Sequence, residues 1–157
     1  MSRLRWSQAG FTLMELLVVL VIVAVVLSAG LLSFRQDTSR YVAQQANQIQ
    51  GLLQAGCDEA VWGQRLVFFE VSEKGLQPWV HRQGRWQVFT DLKPLAWHPS
   101  VQVDWTLPAL SGGAYDLPAE GWLCWPSGDL TAGEMRLNQH RLVWDEGGVF
   151  VFGEADE

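Results

Sequence analysis

An unbroken apolar run near the amino terminus, with a single carboxylate inside it, constrains this chain more than any other feature. Residues 11–34 comprise 24 residues, and Glu15 is the only ionisable one among them. At about 1.5 Å per residue the run makes a helix of about 36 Å, long enough to cross a bilayer core of about 30 Å with some tilt. The run therefore predicts a transmembrane helix over 11–34. A carboxylate inside such a helix is costly without a partner, so the placement of Glu15 requires an explanation.

The start of this run resembles a known processing site. The motif GFTLMELL at residues 10–17 follows a short leader, residues 1–10, that contains two arginines. A basic leader, a glycine, an aromatic residue, a glutamate at this offset and a long apolar helix together resemble type IV prepilins and type II secretion pseudopilins. The resemblance implies that a prepilin peptidase cuts between Gly10 and Phe11 and that Phe11 is then N-methylated. It also implies that Glu15 pairs with the terminal amine of a neighbouring subunit during filament assembly.

Elementary electrostatics gives this processing site a function. Before cleavage the nitrogen of Phe11 belongs to an uncharged amide, whereas after cleavage it is an ammonium one helical turn from Glu15. A carboxylate removed from water is stabilised by an opposite charge. Cleavage therefore converts a stored precursor into an assembly-competent subunit. The residues alone leave open whether Glu15 pairs with its own amine or with a neighbour's, and the resemblance favours the neighbour's.

Two other interpretations of the amino terminus stay open. One is a plain membrane anchor in which Glu15 lies near the lipid headgroups. The other is a cleaved secretory signal that ends at the small residues 28–30, although its apolar part would exceed the usual length of about 7–15 residues. Arginines lie on both sides of the apolar run, so their distribution decides the orientation weakly. The prepilin resemblance implies a single-pass protein of the bacterial inner membrane with its globular domain in the periplasm.

Helical periodicity continues beyond the apolar run, over residues 35–62. Six small or apolar residues recur at intervals of three and four, which places them on one helix face; they are Val42, Ala46, Ile49, Leu53, Cys57 and Ala60. The opposite face is predicted to carry glutamines, namely Gln44, Gln45, Gln48 and Gln54. Gly51 and Gly56 weaken the helix locally, but no proline occurs before Pro78. The pattern predicts one long helix to about residue 62 whose second half is amphipathic.

Residues 63–157 predict a β-rich domain. Apolar, β-branched and aromatic residues form short runs separated by turn residues, at 66–71, 76–81, 85–90, 101–105, 122–125, 134–137, 141–144 and 149–152. Pro78 predicts that its strand is an edge strand or a short one, and 108–118 reads as a loop. Short connections between successive strands favour antiparallel pairing. The predicted fold is α+β, with a long N-terminal helix packed on an antiparallel sheet.

The closing region supplies a second resemblance. The turn WPSGD at 125–129, the run GEMRL at 133–137 and the hairpin over 141–149 resemble the C-terminal half of GspH-type minor pseudopilins and of related FimT/FimU-type pilins. This resemblance implies a structural minor pseudopilin in the periplasmic pseudopilus of type II secretion, which drives protein export. The alternative that it leaves open is a type IV minor pilin in pilus priming, adhesion or DNA uptake. Implied partners are the prepilin peptidase, other pseudopilins, the inner-membrane assembly platform and the lipid bilayer.

Charge and motif content argue against other classes of function. The formal net charge of −6 becomes −8 if the leader and its two arginines are lost. This acidic balance lacks the basic footprint that nucleic-acid binding requires. His81, His98 and His140 show no metal-ligand spacing, and no catalytic serine or phosphate-binding motif occurs. The sequence therefore predicts a non-enzyme without a metal or cofactor.

The cysteines and tryptophans leave alternatives. Cys57 and Cys124 would form a disulfide between helix and sheet in an oxidising compartment, or remain two buried thiols. Among eight tryptophans beyond the leader, the strand residues Trp105, Trp122 and Trp144 are predicted in the core. Trp79, which follows Pro78, and Trp97, two residues before Pro99, are the candidates for an exposed docking patch.

Overall fold

The computed structural model describes residues 12–107 and 116–155, without the side chains of residues 29–37. It contains one long helix, α1, at Leu13–Gly63. The chain divides into two units, Met1–Asp37 and Thr38–Glu157. The long helix predicted from the sequence is therefore confirmed, and it ends one residue beyond the predicted position.

The first unit contributes the apolar beginning of α1. Its large apolar side chains from Leu13 to Leu27 expose between 46% and 85% of their surface. A helix that is apolar all round normally lies in lipid or among other helices. Within the described residues, no helix is both long enough and apolar enough to qualify as a membrane span.

The second unit contains nine strands in two antiparallel sheets among the described residues. The strands are β1 Val67–Ser72, β2 Gly75–Arg82, β3 Arg85–Val88, β4 Leu95–Ala96, β5 Val103–Thr106, β6 Gly121–Cys124, β7 Gly133–Leu137, β8 His140–Trp144 and β9 Phe150–Glu154. One sheet has the order β3-β2-β1-β6, with β4 also pairing with β2, and the other has the order β5-β7-β8-β9. The α+β class and the antiparallel pairing are confirmed, but the strands form two sheets.

The amphipathic stripe of α1 forms one wall of the core. Five residues of the predicted stripe are at most 3% exposed, namely Val42, Ala46, Ile49, Leu53 and Ala60. They belong to one buried cluster with residues of both sheets, including Phe69, Trp122, Met135 and Trp144. Burying a leucine- or isoleucine-sized side chain contributes about 1.5–3 kcal/mol, so this stripe explains why the helix and sheets form one unit.

The predicted polar face of α1 is wrong at one position. Gln44, Gln48 and Gln54 are exposed, whereas Gln45 is only 2% exposed. Its side-chain oxygen accepts a hydrogen bond of 2.8 Å from the backbone N–H of His98. The bond satisfies the buried side-chain oxygen, whereas the side-chain nitrogen of Gln45 is buried without a hydrogen-bond partner among the described residues.

Pro78 does not mark an edge strand. Its strand β2 lies between β1 on one side and β3 and β4 on the other. Residue 79 begins the pairing with β3, and residue 76 ends the pairing with β4. The carbonyl of Pro78 accepts from the N–H of Phe89, so its nitrogen faces this side as well. The missing donor of Pro78 therefore falls in the gap between β3 and β4, where the ladder does not need it.

Candidate functional site

The described part of the predicted assembly motif begins with a capped helix. The backbone N–H of Glu15 donates to the side-chain oxygen of Thr12 at 3.3 Å and to its carbonyl oxygen at 3.1 Å. Thr12 therefore acts as the N-cap, and Thr12-x-x-Glu15 has the sequence of a capping box. This cap was not predicted, although the spacing of threonine and glutamate in the sequence signals it.

Among the described residues, the carboxylate of Glu15 is exposed and has no ion-pair partner. Glu15 lies in the first turn of α1, where the helix dipole favours a negative charge. Gly10 and Phe11, the predicted cleavage and methylation residues, lie outside the described residues.

Apolar surface surrounds Glu15 along the helix. Leu13 and Met14 expose 85% and 72% of their surface, and Leu16 and Leu17 expose more than half. Exposed apolar area of this extent indicates a partner surface. A neighbour that covers these side chains would also remove Glu15 from water, where a positive charge beside the carboxylate would stabilise it.

Cys57 and Cys124 are joined by a disulfide in this structure, with Cα atoms 5.3 Å apart. Cys57 is in α1 and Cys124 ends β6, which lies at the edge of its sheet beside β1. The bond closes a separation of 67 residues. It fixes the amphipathic half of the helix to the sheet at a position where the stripe residues already pack.

The tryptophans divide differently from the prediction. Trp122 and Trp144 are fully buried with their rings 5.2 Å apart in an edge-on arrangement, and Trp105 is partly buried against the core. Trp97, predicted as a patch residue, also packs against the core and donates its indole N–H to the carbonyl of Ser72 at 2.9 Å. The most exposed large aromatic residue among the described ones is Trp62, at 86%, which the sequence did not single out.

A cleft of about 580 Å³ lies between the segment that follows β4 and the strand β5. Its lining includes Glu73, Trp97, His98, Val103, Asp104 and Trp105. The ring of His98 stacks on Tyr41 of α1 with centroids 4.1 Å apart, and Ser100 donates its backbone N–H to His98 Nδ1. The helix therefore holds one wall of the cleft in place through Tyr41 and through Gln45.

The three histidines lie on different elements. His81 is in β2, His98 follows β4, and His140 is in β8. Within residues 12–107 and 116–155, no group of three or more potential ligands could hold a metal ion. The predictions of no metal and no catalytic site remain predictions.

Comparisons with known proteins agree with the amino-terminal motif and with the fold. A family model described as the prokaryotic N-terminal methylation motif matches residues 7–31, which include Gly10, Phe11 and Glu15. No curated protein sequence matches this chain.

Two solved structures of the minor pseudopilin EpsH from the type II secretion system of Vibrio cholerae are similar to this structure. The first has a TM-score of 0.59 and 18% identity, and the match covers 74% of this chain and 98% of that chain. The second has a TM-score of 0.59 and 17% identity and covers 74% and 99%. The chain therefore combines a prokaryotic N-terminal methylation motif with a fold similar to that of EpsH.

Proposed function

We propose that this chain is a structural minor pseudopilin, processed by a prepilin peptidase and assembled into the periplasmic pseudopilus of a type II secretion system. The observation that carries the proposal is the methylation motif over residues 7–31 at the head of an exposed apolar helix. The similarity of the fold to the two EpsH structures supports the choice of pseudopilin class.

The proposed anchor and filament core is the apolar helix over 11–34. Before assembly, lipid covers its apolar side chains, and Glu15 lies near the membrane surface. In the filament, neighbouring helices replace lipid around the same side chains, since apolar surface is equally satisfied by either environment. The globular domain beyond residue 62 then lies in the periplasm.

The charge on the new terminus makes assembly depend on cleavage. The ammonium of processed Phe11 offsets the removal of the Glu15 carboxylate from water when subunits pack. An unprocessed chain offers an uncharged amide at the same place, so its carboxylate would be buried without a partner. N-methylation retains the positive charge of the amine while adding an apolar group.

Mass spectrometry of the full chain, isolated from membranes of the bacterium that produces it, tests the processing step. We expect a chain that begins at Phe11 and carries one additional methyl group, whereas a strain without the prepilin peptidase retains residues 1–10. A matched Gly10→Ala variant should also retain the leader. A natural chain that begins at any other residue would contradict the proposal.

The type IV minor pilin remains the second candidate, because the methylation motif does not separate the two systems. Deleting the gene and measuring both exported protein and twitching motility distinguishes them. Loss of export with normal twitching supports the pseudopilin. Loss of twitching with normal export favours the pilin.

A further inference from the structure

Among residues 12–107 and 116–155, the cleft beside β5 borders a strand edge that no other strand covers. β5 pairs with β7 on one side and is the terminal strand of its sheet among the described residues. Asn138 donates its N–H to the carbonyl of Gln102, so the backbone groups of Gln102 face β7. In a strand, the backbone N–H and C=O groups of successive residues point to opposite sides. The backbone groups of Asp104 and Thr106 therefore also face β7. The N–H and C=O groups of Val103 and Trp105 therefore point away from the sheet, toward the cleft that these residues line.

The side chains around this edge favour a cationic occupant. The two charged lining residues are the carboxylates Glu73 and Asp104, and both residues are exposed. Two basic residues neighbour these carboxylates: Lys74 follows Glu73 in the sequence, and Arg136 lies opposite Asp104 in the pairing of β5 with β7. Neither of them lines the cleft. Trp97 has already committed its indole N–H to Ser72, so it offers an occupant its ring, a surface that attracts cations.

From this geometry we infer that the cleft receives an extended segment, bearing a lysine or arginine, from a neighbouring pseudopilin subunit. The segment adds a strand to the free edge of β5 through the outward groups of Val103 and Trp105, which is a known mode of peptide recognition. Its basic side chain lies between Glu73 and Asp104. The inference rests on the proposed function, since it requires a neighbour in a filament.

Two features indicate that the segment comes from a different subunit of the same filament and not from a second copy of this chain. A carboxylate on an edge strand discourages pairing with an acidic strand, and this chain, whose net charge of −6 becomes −8 without Arg3 and Arg5 of the leader, would repel a second copy. β5 has only four residues, and two of them face outward, so the strand offers few hydrogen bonds. Such a short edge binds well only when the partner is already held nearby, as in a filament, where the effective concentration is high.

A proline at position 103 tests the strand addition directly. Val103→Pro removes the N–H that points into the cleft and leaves the ladder between β5 and β7 intact, because proline is tolerated where the N–H of an edge strand faces outward. Val103→Ala is the control for the side chain. Glu154→Pro is the matched control on β9, the opposite edge strand of the same sheet. The backbone groups of Val149 and Ala155 face β8, so by alternation those of Glu154 point outward, as those of Val103 do.

The measurement is photocrosslinking in the native bacterium, with a benzophenone amino acid in place of Pro99 in the full chain, an exposed residue of the cleft lining that takes no part in the proposed contacts. We expect crosslinks to a lysine- or arginine-containing extended segment of another pseudopilin from the same secretion system. Val103→Pro should lower their yield about five- to tenfold, the effect of losing a desolvated backbone hydrogen bond. Val103→Ala and Glu154→Pro should leave it near wild type. Glu73→Lys should lower it as well, with recovery when the mapped basic residue of the neighbour is changed to glutamate.

Several results would overturn the inference. These are an unchanged crosslink yield in Val103→Pro, crosslinks that map to residues 108–115 of the same chain, and crosslinks to a polysaccharide or to an exported protein. Slow hydrogen exchange at the amides of Val103 and Trp105 in the isolated, detergent-solubilised chain would also overturn it, because the edge would already be paired. If Val103→Pro does not fold, Glu73→Lys and its reversal decide the question.

The mass of the amino terminus, measured in the same cells, separates this failure from failure of the proposed function. A chain that begins at methylated Phe11 and enters filaments, but shows no cleft crosslinks, refutes strand addition alone. A chain that is never cleaved at Gly10 refutes the pseudopilin assignment.

Discussion

Gly56 of α1 faces the ring of Phe69 in β1 so closely that a methyl group at position 56 would overlap Phe69 Cζ. Gly51, one and a half turns earlier in the same helix, has no atom near its missing side chain. The two glycines look alike in the sequence, since each lowers helix propensity. The structure separates them, because one permits close contact between helix and sheet and the other contacts nothing.

Alanine substitutions at the two glycines should therefore have opposite effects on stability. Gly51→Ala should raise the free energy of unfolding by about 0.5–1 kcal/mol, the difference in helix propensity at an exposed site. Gly56→Ala should lower it by about 1–3 kcal/mol, the usual cost of overpacking. Denaturant unfolding of the detergent-solubilised chain, followed by tryptophan fluorescence, measures both. Equal shifts in the same direction would contradict the helix–sheet contact.

The contrast shows which parts of the fold the sequence could predict. The stripe from Val42 to Ala60 was predictable because helix periodicity is local. The turn between the runs 76–81 and 85–90 was predictable because it contains Gly84, and glycine suits the positive φ of a tight turn; Gln83 and Gly84 adopt φ of 53° and 74°. The two-residue strand β4 carries no period of its own. It exists because Leu95 and Ala96 pair with Leu76 and Gly75, about twenty residues earlier.

Burial that depends on partners far away in the sequence was equally unpredictable. Gln45 reads as a polar-face residue until His98, 53 positions away, supplies a hydrogen bond. Trp97 reads as a surface residue until Ser72 accepts its N–H. At the candidate site, the roles of Gly10, Phe11 and Glu15 could be predicted because these residues form a local sequence motif. The cleft could not be predicted in this way, because it is lined by the turn between β1 and β2, the connection between β4 and β5, and β5 itself. Its free edge follows from strand order, which no local pattern encodes.

The bond between Cys57 and Cys124 should be present in the chain isolated from cells. Closing a loop of 67 residues stabilises the folded state by about 4 kcal/mol in the chain-entropy model. The intact mass should lie two hydrogen atoms below that of the fully reduced chain, and thiol-blocking reagents should add nothing before reduction. Reduction should lower the unfolding midpoint, and a Cys57→Ala/Cys124→Ala double variant should show the lower midpoint with or without reductant. Full labelling of the native chain by the blocking reagent would show two free thiols instead.

Gln45 should matter for stability far more than its exposed neighbour in the helix. Gln45→Ala removes the acceptor for the N–H of His98 and leaves that partly buried donor unpaired, which should cost about 1–2 kcal/mol. Gln48→Ala, at an exposed position of the same helix, should change stability by less than about 0.5 kcal/mol. Hydrogen exchange at the His98 amide provides a second measurement, since it should accelerate in Gln45→Ala alone. Comparable losses in the two variants would mean that helix propensity, not the hydrogen bond, controls the result.

Substitutions at Glu15 can separate its charge from its place in the helix cap. Glu15→Gln retains a residue that suits the third position of a capping box but removes the negative charge, and Glu15→Asp retains the charge. If Glu15 pairs with the ammonium of processed Phe11, the loss of one partner from a buried pair costs about 3–5 kcal/mol, more than a hundredfold in assembly. We therefore expect Glu15→Gln and Glu15→Ala to abolish incorporation into filaments while the globular domain folds normally, and Glu15→Asp to retain part of it.

Thr12→Ala provides the matched control, because it removes the cap observed at the start of α1 without changing any charge. Its cost should be about 0.5–2 kcal/mol, so filaments should still form at reduced yield. Incorporation is measured by the fraction of the chain that crosslinks to other pseudopilins in intact cells, and the amino-terminal mass establishes that each variant is still cleaved after Gly10. If Glu15→Gln assembled as well as the wild type while Thr12→Ala did not, Glu15 would serve helix initiation, and the charge-pairing role would be wrong.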